Sequence, residues 1–308
     1  MGLRICLVTP FSWSQPHDVN EHVAGAATEL RRLGHDVTVL APSGRASDLI
    51  AGRRALADGA HGEVIAVGPA LPVWRRSRIG RPVGVRANLA LALSRGGYDV
   101  VHGFEPGLPS LSYVALRDSR ALAVASFFSQ ERLSYPPSKA QRGRLLSRID
   151  ALLAVSPETA AAAAQRFPGD YRLTPLGIDT ELFHPIEKRD VIVCEWRPGE
   201  RLLTKALYSI MKELPGWELM LLRTKALAGR PSVPSALRGR VRVRTARSGQ
   251  ARAPILNEAP IFVPALAGLR RVRVEASAAG AAIASPPGVH EQPALAAAAV
   301  ARLAESPE

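Results

Sequence analysis

The chain opens on a short unbroken apolar run, residues 3–9 (LRICLVT), that stops at Pro10. A strand buried on both faces of a parallel sheet reads this way, because neither of its faces meets water. After a loop, EHVAGAATELRRLGH places apolar residues at helical spacing and halts at Gly34, and DVTVLAP then supplies a second strand-like run, so the predicted unit is strand, helix, strand. The alternation continues with GEVIAVG at 62–68, RANLALALSRGG leading into YDVVHGF at 98–104, a helix around 109–117, and ALAVASFF at 121–128. ALLAVS at 151–156, the alanine-rich helix TAAAAAQRF and the segment YRLTPLGID complete this half. A parallel sheet covered by helices on both faces is the economical solution.

Residues 180–190 (TELFHPIEKRD) are polar, contain Pro185 and separate two α/β patterns, so a linker is expected there, between a domain at 1–180 and one at 190–308. The second half offers DVIVCEW (190–196), a helix LLTKALYSIMKEL, a strand WELMLL (217–222), the basic stretch RVRVR (240–244) and a strand APIFVPA (259–265). It continues with a helix VRVEASAAG, a strand AAIAS (281–285) and a final helix ALAAAAVARLAE. Two Rossmann-type lobes whose parallel sheets face a central cleft are the architecture this pattern predicts. No short-period internal repeat is visible.

Composition narrows the class only a little. A length of 308 residues suits two domains, and 47% apolar with 22% charged residues is an ordinary globular balance. Cys6 and Cys194 lie far apart in apolar surroundings, which argues against a disulfide framework and for a reduced, cytoplasmic setting. No apolar run reaches the roughly 18 residues a membrane span needs, and MGLRICLVTPF lacks the core of a signal peptide. The formal charge of +13 favours phosphate-bearing partners. The arginines are scattered, so an arginine-rich coding habit fits as well as a functional patch. One segment concentrates them: VWRRSRIGRPVGVR at 73–86 joins a tryptophan to five arginines. An interfacial tryptophan with basic neighbours suits contact with an anionic membrane, but Gly80 and Pro82 spoil a continuous helical face and favour a solvated loop. Nucleic acid is not expected, since no zinc spacing, aromatic RNA-binding set or basic recognition helix is present.

At this point the residues resemble a known group, the retaining family 4 glycosyltransferases of GT-B fold, which include bacterial phosphatidylinositol mannosyltransferases. The resemblance runs through LRICLVTPFSWSQPHDVNEHVAGAATELRRLGHDVTVLAP, YDVVHGFEPGLPSLSYVAL, TPLGIDTELFHP and PIFVPAL, and is carried most of all by EASAAGAAIAS. It implies a nucleotide-sugar donor such as a GDP- or UDP-sugar, hexosyl transfer without a metal, and a protein that touches the inner membrane face at most peripherally. It assigns the donor to Glu275, with Arg197 or Arg201 at the diphosphate and the Ser277–Gly280 turn beside it. Glutamate early on a helix facing the cleft can accept hydrogen bonds from sugar or ribose hydroxyls, while nearby backbone N–H groups hold phosphate.

Against that pattern the chain departs at several places. The family's Glu-x7-Glu pair puts its first carboxylate at position 267, which here is Ala267. A methyl group cannot stabilise positive charge developing on an oxocarbenium-like centre. Three arginines, Arg270, Arg271 and Arg273, follow it. Where two glycines are usual after the first strand, the chain has His17 and Asp18; where a histidine is usual after ALAVASFF, it has Phe128; and Glu195 and Glu200 stand at the positions of the basic pair. The donor-side half also reads as shortened after Ser285. These coincident changes predict weak or absent transfer, and suggest as an alternative a scaffold that self-assembles or pairs with an active transferase. His17, His22 in NEHVAG and Glu105 in HGFEPG are the acceptor-side candidates; a capping or partly buried histidine is the plain alternative for His22, and a carboxylate capping the next helix is the plain alternative for Glu105.

Overall fold

The computed structural model describes residues 2–305 apart from 16, 60–61, 75–76, 80–84, 225–228, 266–269, 287 and 290–291. The chain divides into two units, Met1–Gly177 and Ile178–Glu308. In the first, the elements in order are β1 (Arg4–Val8), α1 (Asp18–Arg32), β2 (Asp36–Ser43), α2 (Ala46–Ala57), β3 (Val64–Pro69), β4 (Leu71–Trp74), β5 (Ser77–Ile79) and α3 (Arg86–Gly96). They continue with β6 (Val100–Phe104), α4 (Leu111–Asp118), β7 (Leu122–Phe127), α5 (Lys139–Leu146), β8 (Ala151–Ala154), α6 (Pro157–Ala164) and β9 (Tyr171–Leu173). Seven strands form one parallel sheet in the order β3-β2-β1-β6-β7-β8-β9, and β4 and β5 pair antiparallel beside it in sequence.

The unbroken apolar run of β1 has a direct cause. Cys6 and Val8 enter one core, which holds Leu89, Leu111 and Phe127, while Ile5 and Leu7 enter the other with Phe11, Val19 and Phe104. Helix α1 follows the sequence signals closely. Asp18 and Glu21 lie in its first turn and Arg31 and Arg32 in its last, matching the helix dipole, and Gly34 ends it with φ of 86°.

The second unit repeats the plan with β10 (Val191–Glu195), α7 (Arg201–Ile210), β11 (Glu218–Arg223), β12 (Val241–Thr245), α8 (Gly249–Asn257), β13 (Ile261–Val263), α9 (Arg270–Ala278), β14 (Ala282–Ile283) and α10 (Ala294–Glu305). Its five parallel strands run β12-β11-β10-β13-β14. Again the central strand feeds both cores: Ile192 and Cys194 point to one, Val193 to the other. The basic stretch at 240–244 becomes the edge strand β12, where long charged side chains discourage pairing with another chain.

The unit boundary lies just ahead of the segment expected as a linker. Residues 180–190 lie with the second unit: Phe183 is buried in its core, Asn257 Nδ2 donates to the Leu182 carbonyl at 3.0 Å, and Lys188 Nζ donates to the carbonyls of Asn257 and Ala279. Helices α2, α5 and α8 were not anticipated.

Candidate functional site

In doubly wound sheets, ligands bind beyond the carboxyl ends of the strands where the strand order reverses. In the first unit that point lies between β1 and β6, and in the second between β10 and β13. Most of the candidate residues gather at these two edges, and the edges are built differently.

At the first edge the chain leaving β1 carries Phe11, whose ring stacks on His17 at 3.5 Å with the planes only 15° apart. His17 is the N-cap of α1 and its Nδ1 accepts from the Val19 N–H at 3.2 Å. The Arg132 guanidinium carbon lies 4.9 Å from the centre of the same Phe11 ring. His22 packs edge-on against Phe128 at 5.0 Å and Phe104 at 6.0 Å. It sits in the second turn of α1, which starts at Asp18. Phe128 is buried in the same cluster, where it acts as a wall. Beneath it, His102 on β6 bonds Ser126 Oγ through Nε2 at 2.7 Å and stacks on Phe104. Burial, helped by nearby His22, pushes the His102 pKa down to about 3, so this ring stays neutral.

Glu105, the first residue past β6, is fully buried and has a left-handed backbone with φ of 52°. Its Oε1 accepts from the Phe128 N–H at 3.1 Å and from Arg132 Nη1 at 3.3 Å. Burial pushes its pKa up to about 8, and Asp18 adds to the rise while Arg132 opposes it. At neutral pH this carboxyl is protonated.

The second edge is dominated by paired charge. Glu195 ends β10 fully enclosed, and its Oε1 accepts from Arg197 Nη2 at 2.6 Å and from Thr224 Oγ1 at 2.7 Å. Arg197 is therefore already engaged. Arg201 is exposed at the start of α7, two residues after Gly199, whose φ is 103°. An exposed guanidinium at a helix start whose N-cap side chain makes no capping bond is the arrangement here suited to a diphosphate, with the Glu200 charge at the N-cap working against it.

Glu275 occupies no open helix start. It lies in the second turn of α9 and is fully buried. Arg252, reaching from α8, grips it in a fork: Nε donates to Oε2 at 2.5 Å and Nη2 to Oε1 at 2.6 Å. Arg271, one helical turn earlier, adds Nε to Oε1 at 3.1 Å. One of the three arginines that looked out of place in the sequence thus serves the glutamate as an internal partner. Arg273 is exposed.

The Ser277–Gly280 turn does not supply the phosphate-binding N–H groups expected of it. It closes the carboxyl end of α9: the Gly280 N–H donates to the Ser277 carbonyl at 3.0 Å, and Gly280 has φ of 78°. That end presents carbonyls, one of them taken up by Lys188, and the negative end of a helix dipole disfavours phosphate. Ala267 lies outside the described residues, as does much of the basic segment 73–86, of which the described backbone forms β4, β5 and the start of α3. Sequence reasoning missed Arg252, Thr224 and Arg132; nothing in their local patterns marks them, since each is defined by a partner 23 to 29 positions away. Among the described residues no cluster of metal-ligating side chains occurs, and no helix is long and apolar enough to cross a membrane.

Comparison with known proteins agrees with this layout. The family model for Glycosyltransferase Family 4 matches residues 19–182. A phosphatidyl-myo-inositol mannosyltransferase from Propionibacterium freudenreichii subsp. shermanii is 30% identical over 226 residues, which cover 71% of this chain and 56% of that protein. A protein of the same name from Mycolicibacterium smegmatis is 27% identical over 240 residues, covering 71% and 58%. The chain thus matches little more than half the length of these relatives. Among solved structures, the pneumococcal O-GlcNAc transferase GtfA bound to UDP and GlcNAc superposes with a TM-score of 0.65 at 10% identity, covering 99% of this chain and 92% of that one. The glycotransferase of kitacinnamycin gives 0.54 at 17% identity over 97% and 84%. The architecture is that of a GT-B-like, two-lobe fold.

Proposed function

Since the chain belongs to glycosyltransferase family 4, we propose that it is a mannosyltransferase-type protein that meets a nucleotide sugar but transfers its hexose slowly or not at all. A nucleotide-sugar donor accords with relatives named as mannosyltransferases and with a structural neighbour that holds UDP. In this chain the donor's diphosphate would meet Arg201 and the first turn of α7, with no metal required. Association with a membrane would be peripheral at most.

The observation that carries the weakened-catalysis part is the grip of Arg252 and Arg271 on Glu275. A carboxylate already holding two guanidinium groups has little acceptor capacity left for a ribose or hexose hydroxyl, and displacing Arg252 would strand a buried charge. Rate enhancement in such transfer depends on groups preorganised around the charge that develops at the sugar. Glu195 and Arg197 neutralise one another in the same manner, which withdraws a second group from the leaving diphosphate.

The test is turnover. Purified protein with labelled GDP- and UDP-sugars should release nucleotide at well below the ~1 s⁻¹ that marks the low end of ordinary enzymes. Release at an ordinary rate, abolished by Glu275→Ala without loss of folding, would overturn the proposal and leave a working mannosyltransferase.

A further inference from the structure

We propose that Glu105 is a positioning residue, a clasp that locks two loops together at the carboxyl edge of the first sheet and releases them when its carboxyl ionises. Its relevance to an acceptor rests on the function proposed above; the clasp itself does not.

The backbone shows that the residue is held in place. A left-handed conformation costs a non-glycine residue about 1–2 kcal/mol, and glycine would be the natural occupant. Here Glu105 stays in it with its N–H donating to the Ser126 carbonyl at 2.8 Å and its carbonyl accepting from the Leu108 N–H at 3.2 Å. That turn aims the side chain inward. Its Oε1 then joins the loop after β7 at two points, the Phe128 N–H and the Arg132 guanidinium.

Other contacts join the same two loops. The Tyr135 N–H donates to the Gly107 carbonyl at 2.9 Å. A β-carbon at Gly107 would stand 2.2 Å from the Arg132 carbonyl oxygen, so the loops approach as closely as only glycine permits. Arg132 also lies over Phe11, and Phe128 backs His22. Through these two neighbours the Glu105 side chain sets both the aromatic wall and the stack at the entrance of α1.

The surroundings explain why ionisation would undo this. The other oxygen, Oε2, is buried and has no hydrogen-bond partner among the described residues. Of the charged groups bearing on the carboxyl, Arg132 comes from the loop after β7 and favours its anion, while Asp18 from α1 opposes it. His102 on β6 stays neutral; His17, the N-cap of α1, stacks on Phe11 with its Nδ1 2.9 Å from Asp18 Oδ1, and His22 on α1 faces the Phe104–Phe128 pair. One partly exposed guanidinium is a poor substitute for water around a buried carboxylate. With the proton lost, the carboxylate draws water in and the loops part.

Hydrogen exchange over residues 128–135, with labelling times corrected for the intrinsic pH dependence, reads the clasp directly. Between about pH 6 and about pH 9, wild-type protection should fall about tenfold. Glu105→Gln, whose amide oxygen still accepts both bonds and never ionises, should hold its protection at both ends, and Glu105→Ala should lack it throughout. Wild-type protection that ignores pH, or a Glu105→Gln loop that loosens just as wild type does, would overturn the proposal. If Glu105→Ala does not fold, the glutamine comparison decides alone. No step of this measurement involves sugar transfer, so ordinary turnover combined with a pH-insensitive Glu105→Gln loop would remove the function proposed above and keep the clasp.

Discussion

Two buried glutamates, one in each unit, occupy opposite electrical situations. Glu275 is enclosed with two arginines and Glu105 with one, more distant, guanidinium and an unpartnered oxygen. The first is a saturated ion cluster, the second a neutral acid kept out of water. A carboxylate already bonded on both oxygens contributes structure and gives little to a ligand, whereas a buried acid near its ionisation point responds to its environment. The same residue type, in a loop after a strand in one unit and inside a helix in the other, can therefore be a switch in one and a fastening in the other.

The largest expected effect breaks the saturated cluster. Arg252→Ala should destabilise the second unit by about 3–5 kcal/mol, because it leaves Glu275 with Arg271 alone in a buried setting. Urea unfolding followed by tryptophan fluorescence, in a background with Trp13 and Trp74 replaced by Phe so that only Trp196 and Trp217 of this unit emit, reads this unit. The double replacement Arg252→Met with Glu275→Leu should recover much of the loss, since an apolar pair carries no desolvation penalty. A single variant as stable as wild type would remove the fastening role.

Next in size is the pH dependence of the first unit. Glu105 has its folded pKa raised from 4.5 to about 8. The native state then binds more protons than the unfolded one between those values, so the stability this group contributes is intact below about pH 4.5 and is lost as pH rises through about 8. Glu105→Gln should thus gain on wild type by up to a few kcal/mol between about pH 5 and pH 9, as seen in denaturation curves taken at both ends. A constant difference between the two proteins would mean the carboxyl titrates in its ordinary range.

Smaller still is Thr224→Val, which withdraws one hydrogen bond from the Glu195 carboxylate. It should cost about 1.5–3 kcal/mol, the usual worth of a bond to a charged group. Least of all for stability is Arg201→Ala. At an exposed helix start it should change folding by under about 0.5 kcal/mol, yet weaken binding of a nucleoside diphosphate in calorimetry. Unchanged nucleotide affinity would take the diphosphate away from α7.

How much of this was legible beforehand follows from what kind of signal each feature leaves. β1 and β10 were readable because burial on both faces writes a continuous apolar run, and α1 because Gly34 and the charged turns punctuate it. α8 was hidden by the proline inside it, Pro254, and by its polar start. Gly280 was legible as a glycine that matters, but its positive φ closes a helix where a phosphate turn was expected. The candidate glutamates were visible as residues and not as sites. Nothing near Glu275 in sequence announces Arg252, and nothing near Glu105 announces Arg132. A buried charge is defined by its partners, and sheet topology alone brings those partners together.

The most direct test of the contrast is nucleotide binding by Glu275→Gln. Calorimetric titration with GDP and UDP, beside a melting curve of the same protein, separates a ligand contact from a structural one. Affinity within about twofold of wild type, with melting lowered by several degrees, is the outcome expected of a carboxylate committed to Arg252 and Arg271. Affinity reduced about tenfold or more at unchanged melting temperature would contradict it, and would return Glu275 to the donor.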